Sequence, residues 1–246
     1  MQVVAIIPAR FGSTRFPGKP LANDTGRPLI QHVYERVCQA RLVDECIVAT
    51  DDQRIAQAVR AFGGQVEMTR PDHPSGTDRL AEVAARRRGA ADDLILNVQG
   101  DEPEIDPAHL DRLIEQMQAA PEVPAGTLAC PLPPGCDPAD PNCVKVVCDG
   151  LGRALYFSRA PIPYVRDGGQ SRPWLLHVGV YAYRRAFLLE YAGWEPSRLE
   201  RTEKLEQLRI LEHGRPLLVV TVATAAPGID TPEDYAAFVA RHRAGG

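Results

Sequence analysis

No stretch of this 246-residue chain stays apolar for the ~20 residues that a membrane-crossing helix needs. The longest candidate, residues 217–226, is interrupted by threonines, so no membrane insertion is expected. The first residues offer only a brief apolar run, 3–8, with no basic residue before it and no small-residue cleavage site after it. That pattern lacks the parts of a secretory leader and makes a cytoplasmic protein the expectation. C-x-x-C pairs are missing too. Cys38, Cys46, Cys130, Cys136, Cys143 and Cys148 are spread too widely for a zinc signature, which leaves buried free thiols as the expectation. Neither sign of charge dominates: 28 Lys and Arg against 32 Asp and Glu give a net charge of -4. A broad basic surface for a nucleic-acid backbone is thereby disfavoured, while a local cationic pocket is not. Internal repeats and low-complexity tracts are also lacking. What remains, 44% apolar and 24% charged, is the composition of an ordinary globular protein.

The apolar pattern alternates between two periods. Residues 3–7 form a continuous apolar run ended by Pro8, as expected of a strand buried on both faces of a parallel sheet. Leu29, Ile30, Val33 and Val37 then fall on one helical arc, and residues 46–49 read as the next strand. The alternation continues through a helix around Ile55, Val59 and Phe62, a strand at 66–69, a helix over 77–88 and a strand at 94–98. This predicts an α/β fold with a doubly wound N-terminal half. After a helix around Leu110, Leu113 and Met117, the runs at 127–132 and 144–148 are short and strand-like. The Asp149-Gly150 turn predicts a hairpin to Leu155 and Phe157. Further strands are expected at 175–183 and 219–222, with a helix from about 202 to 213 between them. Thr231-Pro232-Glu233-Asp234 opens a last helix with a capping residue, a first-turn proline and acids at the positive dipole end. The expected organisation is a single domain over 1–246 with a β-rich embellishment around 127–183.

The loop after the first strand reads Pro8-Ala9-Arg10-Phe11-Gly12-Ser13-Thr14-Arg15-Phe16-Pro17-Gly18-Lys19-Pro20. Ligands of open α/β sheets bind at the carboxyl ends of strands, and a loop with Arg10, Arg15 and Lys19 there suits a polyphosphate. The plainer reading is a solvated basic surface; the two prolines and the place after the first strand favour the ligand. The loop is not a Walker A motif, because five residues separate Gly12 from Gly18 and Pro20 follows Lys19. Val98-Gln99-Gly100-Asp101-Glu102-Pro103 ends another inner strand and brings Asp101 to the same rim. Asp230 also follows a strand. One or two such carboxylates with substrate phosphates suffice for magnesium, although each aspartate alone also fits a turn or a cap.

These segments, from 7–10 through Gly18-Lys19-Pro20-Leu21, resemble the 3-deoxy-manno-octulosonate (Kdo) cytidylyltransferases. So do Thr69-Arg70, Asp72-His73, Ser75-Gly76-Thr77, residues 97–103, Asn142 with residues 144–147, residues 154–159, 205–209 and 230–234. The likeness runs along essentially the whole chain. It departs chiefly over 161–176, where the linker is shorter and includes Tyr164 to Gly169. The resemblance implies a Rossmann-like nucleotide-diphospho-sugar transferase fold with a mostly parallel mixed sheet. It further implies a magnesium-dependent homodimer that transfers CMP from CTP to Kdo for lipopolysaccharide biosynthesis.

The resemblance also distributes roles. Pro8, Ala9, Arg10, Ser13, Arg15, Lys19, Arg70, Ser75 and Gly76 would bind CTP. Asp101 and Asp230 would hold the metal, with Arg15 and Lys19 completing the catalytic set. Gln99, Arg159, His177, Tyr181, Glu206 and Gln207 would take Kdo, with Arg159 facing its carboxylate bidentately. His177 and Tyr181 also fit a core face of a strand. A helical wheel over 202–213 buries Leu205, Leu208 and Leu211 and leaves Glu203, Glu206, Gln207 and Ile210 opposite, where they would face solvent. Two rivals stay open: a cytidylyltransferase for another acidic sugar, sialic acid or an amino-substituted Kdo, and a non-catalytic nucleotide-sugar-binding regulator on the same fold.

Overall fold

The structure is a computed structural model describing residues 1–12, 15–166 and 173–244. Its centre is β1, Val3–Ala9, whose alternate residues serve two cores. Val3, Ala5, Ile7 and Ala9 point to one side, where they meet Ile30, Val33 and Val37 of α1 (Leu29–Val37) and Ile55 and Val59 of α2 (Gln53–Ala61). The same side holds Leu110, Leu113 and Met117 of α4 (Pro107–Ala119). Val4 and Ile6 point to the other side, against Leu80 and Val83 of α3 (Gly76–Arg86) and Phe187, Leu188 and Tyr191 of α5 (Arg185–Tyr191). Burial on both faces explains why this strand is a continuous apolar run.

β2 (Glu45–Thr50), β3 (Gln65–Met68) and β4 (Leu94–Asn97) join β1 in parallel register. The sheet then continues through β8 (Leu175–Arg184), β5 (Ala125–Pro131) and β9 (Leu217–Thr221), in the order β3-β2-β1-β4-β8-β5-β9. β8 is antiparallel to both of its neighbours, and β5 and β9 are parallel to each other. The predicted hairpin forms as β6 (Lys145–Cys148) and β7 (Ala154–Ser158), leaving the sheet where β6 pairs with the start of β8. The expected β-rich segment therefore divides: β5 and β8 belong to the central sheet, and the hairpin stands off it.

Strand order reverses at β1, with β2 and β3 on one side and β4 on the other, so the loops after β1 and β4 flank a crevice at the carboxyl ends of both strands. Helix starts are fixed locally. Asp52, Ser75 and Asp106 cap α2, α3 and α4 by accepting backbone N–H bonds at 2.8, 3.2 and 2.9 Å. α8, Pro232–Ala244, begins as its sequence predicts, with Thr231 Oγ1 accepting from Asp234 N at 3.2 Å.

Three expectations need correction. The helix expected over 202–213 is two short helices, α6 (Arg198–Glu203) and α7 (Leu208–Glu212). Lys204 separates them with a left-handed backbone, φ 54°. The wheel is therefore broken, and Gln207 and Ile210, assigned to its solvent side, are buried. Helix α5 was not anticipated, because its apolar residues follow directly on β8. Nor are the thiols uniformly buried: Cys46 and Cys130 are, but Cys38 is exposed and Cys136, Cys143 and Cys148 are half-buried.

Candidate active site

The crevice at the reversal point is a cavity of about 270 Å³ walled by the β1 loop, the start of α3 and the β4 loop. Its walls approach closely because two positions lack side chains. A Cβ on Gly100 would lie 3.0 Å from the carbonyl oxygen of Pro8, so the β4 loop reaches β1 only with glycine there. Gly18, at φ 72°, returns the basic loop on itself through an N–H bond to Phe11 O at 3.0 Å, and the Phe11 ring lies under the Arg54 guanidinium, 3.4 Å away.

Of the residues expected at the nucleotide, Pro8, Ala9, Arg10, Arg15, Lys19, Ser75 and Gly76 line this cavity, together with Asp101 and Asp230. Arg70 does not line it; its guanidinium turns to Asp72, 3.5 Å away. Ser13 lies outside the described residues. The two aspartates, remote in sequence, are joined through the backbone, since Ile229 N–H donates to Asp101 O at 2.9 Å. Lys19 Nζ donates to Asp101 Oδ2 at 2.7 Å and to Ile229 O at 2.6 Å. Arg15 grips Asp230 with two bonds of 3.0 and 3.2 Å.

Two further residues had no role assigned from sequence. Glu102 sits behind the aspartates; burial, then the charges of Asp101 and Asp230, push its carboxyl up to about 8. Arg79 reaches the cavity from α3 and pairs with Asp51 at 3.1 Å. The signal for Arg79 is its place in the first turn after the Ser75 cap, which faces the rim.

A second cavity, about 340 Å³, lies beside the first, and Gly76 and Gln99 line both. Its walls hold Tyr181, Glu206 and Gln207 of the expected acceptor set, with Asn97, Thr77 and Tyr183 added. Tyr181 and Tyr183 stack at 5.7 Å, opposite a bulge where β8 slips past β5: Thr127 pairs with Tyr181 but Leu128 pairs with Val178. Gly179, skipped in that register, opens onto the cavity. Burial raises the Glu206 carboxyl above the usual carboxylate range, against opposing pulls from Thr77, Arg209 and Ser75.

Arg159 and His177 stand outside both cavities. Arg159 spends its guanidinium on carbonyls, those of Glu203 at 2.7 Å, Pro141 at 2.5 Å and Lys204 at 3.3 Å. His177 packs between Phe157 and Tyr181 and meets Thr127 Oγ1 at 3.1 Å, and burial pushes its imidazole down to about 4.

A Rossmann-like sheet with a cationic loop and two converging carboxylates at its reversal point has the architecture of the nucleotidyltransferase class. A family model described as Cytidylyltransferase matches residues 4–218. The chain is 55% identical over 244 residues to a 3-deoxy-manno-octulosonate cytidylyltransferase of Geobacter sulfurreducens, covering 95% of this chain and 96% of that one. It is 50% identical over 241 residues to the enzyme of that name from Vibrio cholerae, covering 95% of each. A solved structure of CMP:2-keto-3-deoxy-manno-octonic acid synthetase complexed with CTP superimposes with a TM-score of 0.94 at 46% identity, covering both chains completely. A 4-diphosphocytidyl-2C-methyl-D-erythritol synthase, TM-score 0.65 at 17% identity over 97% of each chain, shares the fold. The chain belongs to the 3-deoxy-manno-octulosonate cytidylyltransferase family.

Proposed function

We propose that this protein transfers CMP from CTP to the anomeric hydroxyl of Kdo, releasing pyrophosphate and supplying CMP-Kdo for lipopolysaccharide assembly. The observation that carries this reading is the shared wall of the two cavities. A nucleotide lying along the cationic loop presents its α-phosphate near Gln99 and Gly76, where an acidic sugar in the second cavity meets it.

Arg10, Arg15 and Lys19 bind the triphosphate, with Arg15 and Lys19 exchanging their carboxylate partners for phosphate oxygens. The Ser75 cap and Gly76 present the start of α3 to the nucleotide. The anomeric hydroxyl attacks the α-phosphorus, its oxygen forming the new P–O bond as the bond to the β-phosphate bridge breaks and pyrophosphate leaves. Arg15 and Lys19 offset the charge that develops on the leaving group. Gln99, Tyr181, Glu206 and Gln207 orient the sugar, with Tyr181 and Gln207 buried in the wall, where polar contacts gain strength.

Magnesium fits the donor set. Asp101 and Asp230 are two carboxylates on one cavity wall, each balanced by a cation that a divalent ion would replace, and their joint charge is felt at Glu102. Bound there, the ion would acidify the attacking hydroxyl and draw the phosphate oxygens together.

Mixing the protein with CTP, magnesium and Kdo is expected to release pyrophosphate. CTP binding without release would favour a non-catalytic regulator, and faster release with sialic acid or an amino-substituted Kdo would reassign the acceptor. Leu151 and Leu155 leave 71% and 61% of their surface exposed on the β6–β7 hairpin, which supports a homodimer formed through that hairpin. Light scattering is expected to give twice the chain mass; a monomer at micromolar concentration would refute this arrangement.

A further inference from the structure

The β4 loop is held from two sides. Towards the first cavity, Lys19 Nζ clamps Asp101 to Ile229 O, and the Ile229 N–H donates to Asp101 O. Away from it, Arg36 Nε of α1 donates to Ile105 O at 2.9 Å. Arg241 of α8 forks onto Glu104, its Nε donating to Oε1 and Oε2 at 3.1 Å each and its Nη2 to Oε2 at 2.5 Å. Neither Glu104 nor Arg241 lines the first or the second cavity.

Helix α8 connects the two sides. Its start is fastened to Asp230, because Asp234 Oδ2 accepts from the backbone N–H groups of Asp230 and Thr231 at 3.0 and 2.9 Å. Arg241 lies near its other end, about 14 Å along the axis from Pro232. The apolar contacts of α8 lead elsewhere: Tyr235, Phe238 and Val239 cluster with Ile229 and with Leu29 of α1, apart from the two main cores. Its angle to the β4 loop is therefore set by polar links.

We infer that Glu104 and Arg241 are a positioning pair for the proposed CMP transfer, on which this role rests, bracing the β4 loop against α8 so that Asp101 and Asp230 keep their working separation. Lys19 ties the loop to Ile229 in the free protein, but that tie is released once Lys19 turns to a phosphate oxygen. The backbone bond from Ile229 to Asp101 then remains near the site as a single joint. The distant fork fixes a second point, and its paired bonds resist a rotation that one contact would allow. Arg241 and Glu104 keep 44% and 28% of their side-chain surface exposed, and such a pair adds little to stability. What it supplies is direction, and misplacement of reacting groups by a fraction of an ångström is enough to slow a reaction of this kind.

The test follows pyrophosphate release at saturating CTP, magnesium and Kdo, together with hydrogen exchange of the Ile229 amide, which reports the joint whatever the reaction. Glu104→Gln and Arg241→Gln are each expected to lower kcat about tenfold while the KM for CTP stays within about twofold. Each is also expected to speed exchange at Ile229 about tenfold. Both variants fold, with Tm within about 4 °C of the wild type. Glu104→Arg combined with Arg241→Glu rebuilds the pair with its charges exchanged and is expected to recover most of both losses. Unchanged kcat or unchanged exchange in both single variants, or a double variant no better than the singles, would overturn the proposal. A wild type that releases no pyrophosphate with any acidic sugar would remove the transfer reading instead; exchange at Ile229 still decides the brace, and unchanged exchange overturns it.

Discussion

At the cavity proposed for the triphosphate the charged side chains are mounted on loops that follow β1, β4 and β9. At the neighbouring cavity proposed for the acceptor they are uncharged or largely buried, and Tyr181, Glu206 and Gln207 are mounted on β8 and on the turn between α6 and α7. Arg15 keeps 63% of its side-chain surface exposed, whereas Gln207 keeps 5% of its residue surface. The first arrangement suits a ligand that arrives with its own charge and water and needs neutralising. The second suits a ligand that must be oriented before it reacts. Chemistry of this kind is positioning plus electrostatics, and the fold gives each task its own wall.

The largest expected effect lies on the charged side. Asp101→Ala and Lys19→Ala each lower kcat at least a hundredfold, on the order of 3 kcal/mol. Turnover measured by pyrophosphate release at saturating CTP and magnesium checks this; unchanged kcat in either variant would remove that wall's role in the chemical step.

The next test asks whether the packed layer behind Tyr181, where His177 sits, is as dry as its packing indicates. His177 is held near 4 in the folded chain against about 6.5 when unfolded. Below 6.5 the unfolded chain binds a proton that the folded chain refuses, so stability falls as pH drops from about 6.5 towards 4. Between pH 6.5 and 5 this costs the wild type about 2 kcal/mol that His177→Gln does not lose. Urea unfolding at both pH values reads the difference, and equal slopes would show that water reaches this imidazole.

A smaller effect separates the cavities kinetically. Gln207→Ala removes a polar group from the wall of the second cavity and would leave a bound sugar hydroxyl short of a bond, at about 1–3 kcal/mol. It is expected to raise the KM for Kdo tenfold or more while leaving that for CTP in place. Equal rises in both would mean that Gln207 supports the fold around both cavities and not the sugar.

The same contrast explains what could be read from the sequence. Arg10, Arg15 and Lys19 lie within ten residues of one loop, and Asp101 and Asp230 each follow a strand-like segment, so charge pattern and sheet topology together led to the cavity they line. Strand positions and the β6–β7 turn were equally plain from period and turn chemistry. The acceptor wall was not, because it depends on events that local pattern does not encode. The bulge at Gly179 decides which face of β8 meets the cavity, and Lys204 decides that 198–212 is two helices. Only resemblance led to Tyr181, Glu206 and Gln207. It also led to Arg159 and His177, which the packing directs elsewhere, to backbone carbonyls and to a ring stack.

The finest prediction concerns that break. A lysine at φ 54° pays the steric cost that a left-handed backbone imposes on any residue with a Cβ, about 1–2 kcal/mol, part of which glycine would return as unfolded-state entropy. Lys204→Gly is therefore expected to stabilise the protein by roughly 0.5–1 kcal/mol. Because Arg159 bonds the carbonyl of Lys204 and not its side chain, that link survives the change. The turn that aims Glu206 and Gln207 is kept, so the KM for Kdo should stay where it was. Lys204→Val makes the opposite comparison, since a β-branched residue tolerates this backbone poorly and the segment is pressed towards one continuous helix. Thermal unfolding and acceptor kinetics of the two variants decide the matter together. Should valine leave both stability and KM unchanged, the backbone at residue 204 is not what shapes the acceptor wall, and the distinction between a wall of loops and a wall of packed turns would need another cause.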